Sequence, residues 1–230
     1  MQLECSNLNF KYPGSETAVI DHLSFSINEN GFHAVFGPSG VGKTSLAKMI
    51  AGMIPGFDGR VATDCIDTIL YSYNLERLPG WSSVGRHLGK VTPDGKQELR
   101  DRLVGIFELE EILTSRFSML SMGQQNRINL IRYLLQDFDL LILDESLANV
   151  DEKLREVIIL SVKELFKDKM FLYISHNLME VSKFCRQILV FGNPDNSHGN
   201  FVINGLDYRQ GYQMDKNALD RVMLEVMNAV

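Results

Sequence analysis

Eight consecutive residues carry the clearest chemistry in this chain: Gly37-Pro38-Ser39-Gly40-Val41-Gly42-Lys43-Thr44. They match the spacing Gly, four variable positions, Gly, Lys, then Ser or Thr. Glycines let the backbone wrap an anion and aim successive N–H groups at phosphate oxygens. A helix that starts at the end of the loop points its positive N-terminus at the same charge. Lys43 is placed to reach the β and γ phosphates, and the Thr44 hydroxyl to bind Mg²⁺. The spacing therefore predicts a nucleoside triphosphate site. Residues 32–36 (FHAVF) read as a strand and residues 44–53 as a helix, so the loop has the strand-to-helix setting it needs.

A second group lies about a hundred residues downstream. The apolar run 140–143 ends in Asp144-Glu145. A carboxylate at the tip of a buried strand can face a phosphate loop and help hold Mg²⁺. A second carboxylate beside it can orient or deprotonate an attacking water. About twenty residues earlier stands Leu120-Ser121-Met122-Gly123-Gln124-Gln125, ahead of a helical stretch.

That segment resembles the Leu-Ser-Gly-Gly-Gln signature of ATP-binding cassette (ABC) ATPases. The order of phosphate loop, signature and acidic pair matches the same family over residues 1 to about 192, and the tail matches it poorly. The resemblance implies ATP and Mg²⁺ as ligands. It places Ser121, Gly123 and Gln124 over the ATP of a second subunit. It matches Tyr12 to the aromatic that stacks on adenine, His176 to the switch histidine, Glu145 to the catalytic base and Asp151 to the aspartate of the following loop. Ser45, next after Thr44, joins the nucleotide-contacting set. Two positions depart from the pattern. The family's glutamine, which touches Mg²⁺ and the attacking water, falls on Asn74, whose stem is one methylene shorter. Met122 replaces a glycine of the signature.

The implied assembly is a homodimer, or a pair with a paralogous ATPase, docked on integral membrane permease subunits and served in some systems by a substrate-binding protein. Its place is cytoplasmic, peripheral on the inner face of the cell membrane. The short helical insertion, the Leu78-Pro79-Gly80-Trp81 stretch and a C-terminal helix look most like importers of the nitrate, sulfonate and taurine group. Two other classes stay open: a soluble ABC-type ATPase, as in iron–sulfur assembly, and a weakly hydrolysing regulatory subunit.

The elements that must position these residues are legible in outline. Residues 3–10 and 23–27 alternate apolar and polar, as half-buried antiparallel strands do. Residues 66–73 form another strand candidate. The runs 140–143 and 170–174 are apolar throughout, which suits parallel strands buried on both faces. Residues 152–166 form a helix between them, and 187–191 and 201–203 read as late strands. Residues 84–135 are mostly helical in pattern, broken at Pro93-Asp94-Gly95, with Leu103, Ile106, Phe107 and Leu109 on one face. The tail sets Ala218, Leu219, Val222, Met223, Val226 and Val230 on one helical face, expected to pack on its own domain. The expected fold is α/β: a P-loop NTPase of ABC ATPase type with an antiparallel β subdomain and a helical subdomain. One domain spans 1–230, with the helical part at about 79–137 and the C-terminal helix at about 215–230.

Composition excludes several classes. The 230 residues carry 23 Lys and Arg against 29 Asp and Glu, a formal charge of −6. That balance argues against a general nucleic-acid binder. An apolar fraction of 45% and a charged fraction of 23% exclude a disordered chain. No run approaches the ~18 apolar residues of a membrane span, and no secretory signal is visible at the N-terminus. Cys5, Cys65 and Cys185 are odd in number and far apart, which predicts buried free thiols in a reducing compartment. Arg127 and Arg132 read as a solvated helix face, His87 and His198 as surface residues, and Trp81 as either buried or turned toward a membrane partner.

Overall fold

A computed structural model describes residues 1–74, 76, 78–191 and 201–230. His198 and the polar turn expected at 194–200 lie outside the described residues. The strands are β1 (Gln2–Phe10), β2 (Ile20–Ile27), β3 (Gly31–Phe36), β4 (Asp58–Asp64), β5 (Ile69–Tyr73), β6 (Leu140–Asp144), β7 (Met170–Ile174), β8 (Gln187–Val190) and β9 (Phe201–Asn204). The helices are α1 (Lys43–Ile50), α2 (Val84–Val91), α3 (Gln97–Ile106), α4 (Met122–Leu134), α5 (Glu152–Leu165), α6 (Leu178–Phe184) and α7 (Lys216–Ala229).

The larger sheet has the order β5-β6-β7-β3-β8-β9 and is parallel except for the β8–β9 pair. Every residue of β6 and β7 is buried, as their unbroken apolar runs require. Side chains alternate across a strand, so each run feeds two cores. Leu141, Leu143, Phe171 and Tyr173 pack with residues of α4 and α5. Leu140, Ile142, Leu172 and Ile174 face the other way, onto α1 and the strands β1 and β2. The sheet is thus covered on both faces, and the C-terminal ends of β3, β5, β6 and β7 are left at one rim. The second sheet, β2-β1-β4, is antiparallel.

Four boundaries differ from the sequence reading. β4 was not expected. Its sequence, DGRVATD, has no apolar alternation and is largely exposed, so pairing with β1 holds it. β5 begins at Ile69 rather than 66. α1 stops at Ile50: Gly52 adopts φ 69° and Met53 N–H bonds back to Lys48 O, a Schellman closure. α3 stops at Ile106 in the same way. Glu108 takes φ 53° and Leu109 N–H bonds Val104 O, so Phe107 and Leu109 are buried from beyond the helix rather than along one face. α7 packs its predicted face inward, with Val226 fully buried.

Candidate nucleotide site

The phosphate loop joins β3 to α1. Gly42 caps α1 with φ 108°, and a Cβ there would lie 2.8 Å from Val19 O, so the position admits only glycine. Lys43 is 5% exposed, and its Nζ donates to Gly37 O at 2.8 Å and Pro38 O at 2.6 Å. Burial holds its pKa below the ordinary 10.5, while the Glu145 and Asp144 carboxylates pull the other way. A phosphate anion in the loop would favour the charged form further.

Thr44 Oγ1 donates to Asp144 Oδ2 at 2.8 Å, and Tyr71 OH donates to the same oxygen at 2.7 Å. Register explains the meeting: β5 and β6 are parallel neighbours, and both end at the rim beside the loop. Glu145 follows at φ 52°, a left-handed conformation strained for a non-glycine residue. His176 Nε2 hydrogen-bonds Glu145 Oε1. These two come together because β6 pairs with β7, Asp144 opposite Ile174. Tyr12, half-exposed, shares a hydrogen bond with Ser45 Oγ at 3.0 Å and packs edge-on against Phe10.

Tyr12, Ser39, Gly40, Gly42, Lys43, Thr44, Ser45, Glu145 and His176 line one cleft of about 280 Å³. The structure therefore brings together most of the residues that the sequence singled out. Gly37, Pro38, Val41 and Asp144 adjoin the cleft through Lys43, the loop and Thr44 without lining it, and Asn74, Ser121, Gly123 and Gln124 are not among its lining residues either. Asn74 stands at the end of β5, where its N–H bonds Asp144 O, and its Oδ1 accepts from Asn126 Nδ2 at 2.8 Å. Ser121 caps α4: its hydroxyl accepts from Gln124 N–H, and Gln124 Oε1 accepts from Ser121 N–H. This is a capping box. Gly123 lies so close to the loop after β6 that a Cβ would sit 2.2 Å from Asn149 O. Met122 is half-exposed. Asp151 caps α5, accepting from Leu154 N–H at 3.0 Å.

Several side chains at this rim escaped the sequence reading. Tyr71 clamps Asp144. Ser146 Oγ donates to Ser72 O, tying the loop after β6 to β5. Glu76 accepts from Asn129 Nδ2, Arg132 and Tyr133 OH, at 3.0, 3.0 and 2.7 Å. Only the i, i+3, i+4 spacing of those three donors hinted at a common partner. Arg132 is therefore not on a solvated face, and Arg127 is buried enough to bond Phe107 O. His87 is half-buried against the Phe117 ring rather than on the surface, and burial lowers its pKa. Trp81 is 85% exposed, and Cys65 is exposed while Cys5 and Cys185 are buried. A larger cavity, about 460 Å³ and lined by Arg186, Arg209 and Tyr212, lies at the opposite end of the parallel strands.

A glycine-wrapped loop between β3 and α1, with two adjacent carboxylates at the end of β6 and a histidine after β7 beside them, defines a P-loop nucleotide-binding protein. The family model described as "ABC transporter" matches residues 20–148, more than half of the chain. The chain belongs to the ABC transporter family and carries its ATPase domain. It is 28% identical over 207 residues to the sn-glycerol-3-phosphate import ATP-binding protein UgpC of Chromobacterium violaceum, covering 82% of this chain and 56% of that protein. It is 32% identical over 185 residues to the molybdenum import ATP-binding protein ModC of Brucella suis, covering 70% and 51%. The spermidine/putrescine import ATP-binding protein PotA of Legionella pneumophila is 29% identical over 196 residues, covering 77% and 53%. The chain thus spans about half the length of these relatives. A bacterial Atm1-family ABC exporter solved with ATP bound superposes with a TM-score of 0.72 at 19% identity, covering 82% of this chain and 36% of that one. That likeness establishes the fold.

Proposed function

We propose that this chain binds and hydrolyses ATP and thereby energises separate membrane permease subunits. The observation that carries the reading is the single cleft in which Lys43, Thr44, Glu145 and His176 converge from three segments, with Asp144 tied to Thr44. The loop N–H groups and Lys43 bind the phosphates, and Tyr12 stands where an adenine ring can stack. Glu145 takes the proton of the attacking water. His176, hydrogen-bonded to that carboxylate, holds its orientation. Thr44 and Asp144 offer the hard oxygen donors that Mg²⁺ accepts alongside phosphate oxygens. Among the described residues no group of three or more His, Cys, Asp or Glu side chains is set to hold a metal. Bound Mg²⁺ supplies neutralisation of charge on the β and γ phosphates.

Ser121, Gly123 and Gln124 lie outside this cleft, which supports their use on the nucleotide of a second ATPase subunit, identical or paralogous. ATP then closes the pair and hydrolysis reopens it. No helix among the described residues is long and apolar enough to cross a membrane. In this reading permease subunits complete the transporter, with this chain on the inner face of the membrane. The relatives' names support an import system. The nitrate, sulfonate and taurine group rests on the Leu78–Trp81 stretch and the tail alone, and the named relatives carry other cargo. The weakly hydrolysing alternative draws on one observation, the engagement of Asn74 by Asn126.

Phosphate release with wild type and Glu145→Gln tests the chemistry. Turnover should nearly stop in the variant while ATP stays bound; unchanged turnover removes Glu145 as the base. Co-purification from native membranes tests the partner: a stoichiometric polytopic protein is expected, and soluble partners alone would defeat the transporter reading.

A further inference from the structure

The loop that carries His176 is held from beneath by a carboxylate with no part in the chemistry described so far. Glu180 is 5% exposed. An ionised carboxylate only accepts, with about four lone-pair sites on its two oxygens. Four donors meet it here. Oε2 accepts from Tyr173 OH at 2.9 Å and from Ser175 Oγ at 3.3 Å. Oε1 accepts from Asn177 Nδ2 at 3.0 Å and from Arg155. Ser175 and Asn177 are the two chain neighbours of His176, and Ser175 Oγ also accepts from Asn177 N–H at 3.1 Å. The histidine therefore stands on a short arch whose two feet rest on one buried group. Arg155 carries the hold across to the neighbouring strand end. Its other guanidinium nitrogen donates to Val150 O at 2.6 Å, in the loop after β6. That loop returns to Glu145 through the bond from Ala148 N–H to Glu145 O at 2.9 Å. Arg155, Glu145, Ser175, His176 and Asn177 line one small cavity of about 150 Å³.

We infer that Glu180, acting with Arg155, is a positioning residue for hydrolysis: it fixes the loop of His176 against the loop of Glu145 and so sets how the histidine meets the base. The inference rests on the ATP-hydrolysis reading above. Glu145 and His176 line the nucleotide cleft, and neither Glu180 nor Arg155 does. Their effect therefore falls on the chemical step and not on the affinity for nucleotide. A guanidinium suits the task because its rigid fork can serve a carboxylate and a carbonyl at once. The charge on Glu180 matters as well. A glutamine of the same shape can keep Arg155 and Asn177 on its oxygen only by turning its nitrogen toward Tyr173 and Ser175, and both hydroxyls then lose their acceptor. Burial and the Glu180 charge push the Tyr173 pKa up, so the phenol stays protonated and able to donate.

The test is steady-state phosphate release by the full chain, with the ATP dissociation constant measured alongside by calorimetry. Glu180→Gln should lower kcat by roughly ten- to a hundredfold, the loss that a misplaced catalytic group brings. KM and ATP affinity should stay within about twofold of wild type. Arg155→Lys keeps the charge and loses the fork; it should show the same split, and it decides the matter if Glu180→Gln does not fold. The His176→Ala background supplies a readout that a purely structural role would not move. There Glu180→Gln should lower kcat by less than about threefold, because the two changes remove one interaction. A kcat within about twofold of wild type, a loss carried by KM, or the same fold-loss with and without His176 would each overturn the inference alone. Unchanged turnover in His176→Ala would remove the histidine from the chemistry and the inference with it. A wild-type chain that binds ATP and releases no phosphate would overturn the hydrolysis reading, and this inference would fall with it.

Discussion

Substituting alanine at Gly123 probes how the first turn of α4 is held. The added Cβ would lie 2.2 Å from the carbonyl oxygen of Asn149, backbone against backbone. Carbon–oxygen contacts of this kind settle near 3.3 Å, so relief requires about 1 Å of movement. Neither side yields readily. Asn149 already sits at φ 63°, and α4 is tied down by its capping box, by Asn126 and by the Glu76 cluster. Overpacking of this size costs about 1–3 kcal/mol. For a domain of this length each kcal/mol shifts the midpoint by roughly 2–4 °C. Thermal unfolding of the nucleotide-free chain, followed by circular dichroism, should therefore show Gly123→Ala melting about 2–12 °C below wild type. Met122→Ala, at a half-exposed neighbour, should change stability by less than about 0.5 kcal/mol. If Gly123 were glycine only to admit a partner's ATP, the nucleotide-free chain would not notice the methyl group. A midpoint within about 1 °C of wild type would refute the close-contact reasoning.

Other outcomes follow from the same packing. Burial raises the Glu76 pKa, but the bonds from Tyr133, Asn129 and Arg132 outweigh it and hold the carboxyl below its ordinary 4.5. A depressed folded pKa means stability present above 4.5 and lost as pH falls through the folded value. Glu76→Gln should cost about 1–3 kcal/mol in urea unfolding at pH 7, with the gap closing in acid. His33 is fully buried, with Nδ1 unpartnered among the described residues, and burial lowers its pKa to about 4 from 6.5. Its neutral form supports the fold above pH 6.5, and that support is lost as pH falls toward 4. His33→Gln should flatten the stability profile across this window, by at most about 3 kcal/mol. Cys5 and Cys185 are buried, with thiols pushed up to about 12, and Cys65 is exposed. A thiol reagent should label one cysteine in the native chain and three after unfolding; rapid labelling of all three would contradict the packing of β1 and of the end of α6.

How far the sequence could be read depended on the range of the interaction that decides each feature. Unbroken apolar runs marked β6 and β7, since a strand covered on both faces has no place for a polar side chain. The phosphate loop announced itself because glycine, lysine and threonine act there within eight consecutive positions. β4 left no trace, since it is held mainly by pairing with the backbone of β1, which needs no apolar alternation. The end of α3 was hidden because a left-handed glutamate, not a glycine, closes it. Arg132 looked solvated because its partner, Glu76, lies more than fifty positions away and is brought near only by the folding of the helical segment onto β5.

By itself the sequence determined that a triphosphate-binding loop, an acidic strand end and a capped helix occur in one chain, and which of their residues can bind, ligate or accept a proton. Those are properties of residue type at short spacing, where covalent connection fixes the geometry. Only the tertiary structure decided that Glu145 stands against His176, that Tyr71 and Thr44 share one oxygen of Asp144, and that the Asn74 side-chain oxygen accepts from Asn126. These depend on which strands are neighbours and on which atoms a buried amide finds beside it. A hydrogen bond has a direction, and the direction is set by partners far away in the chain.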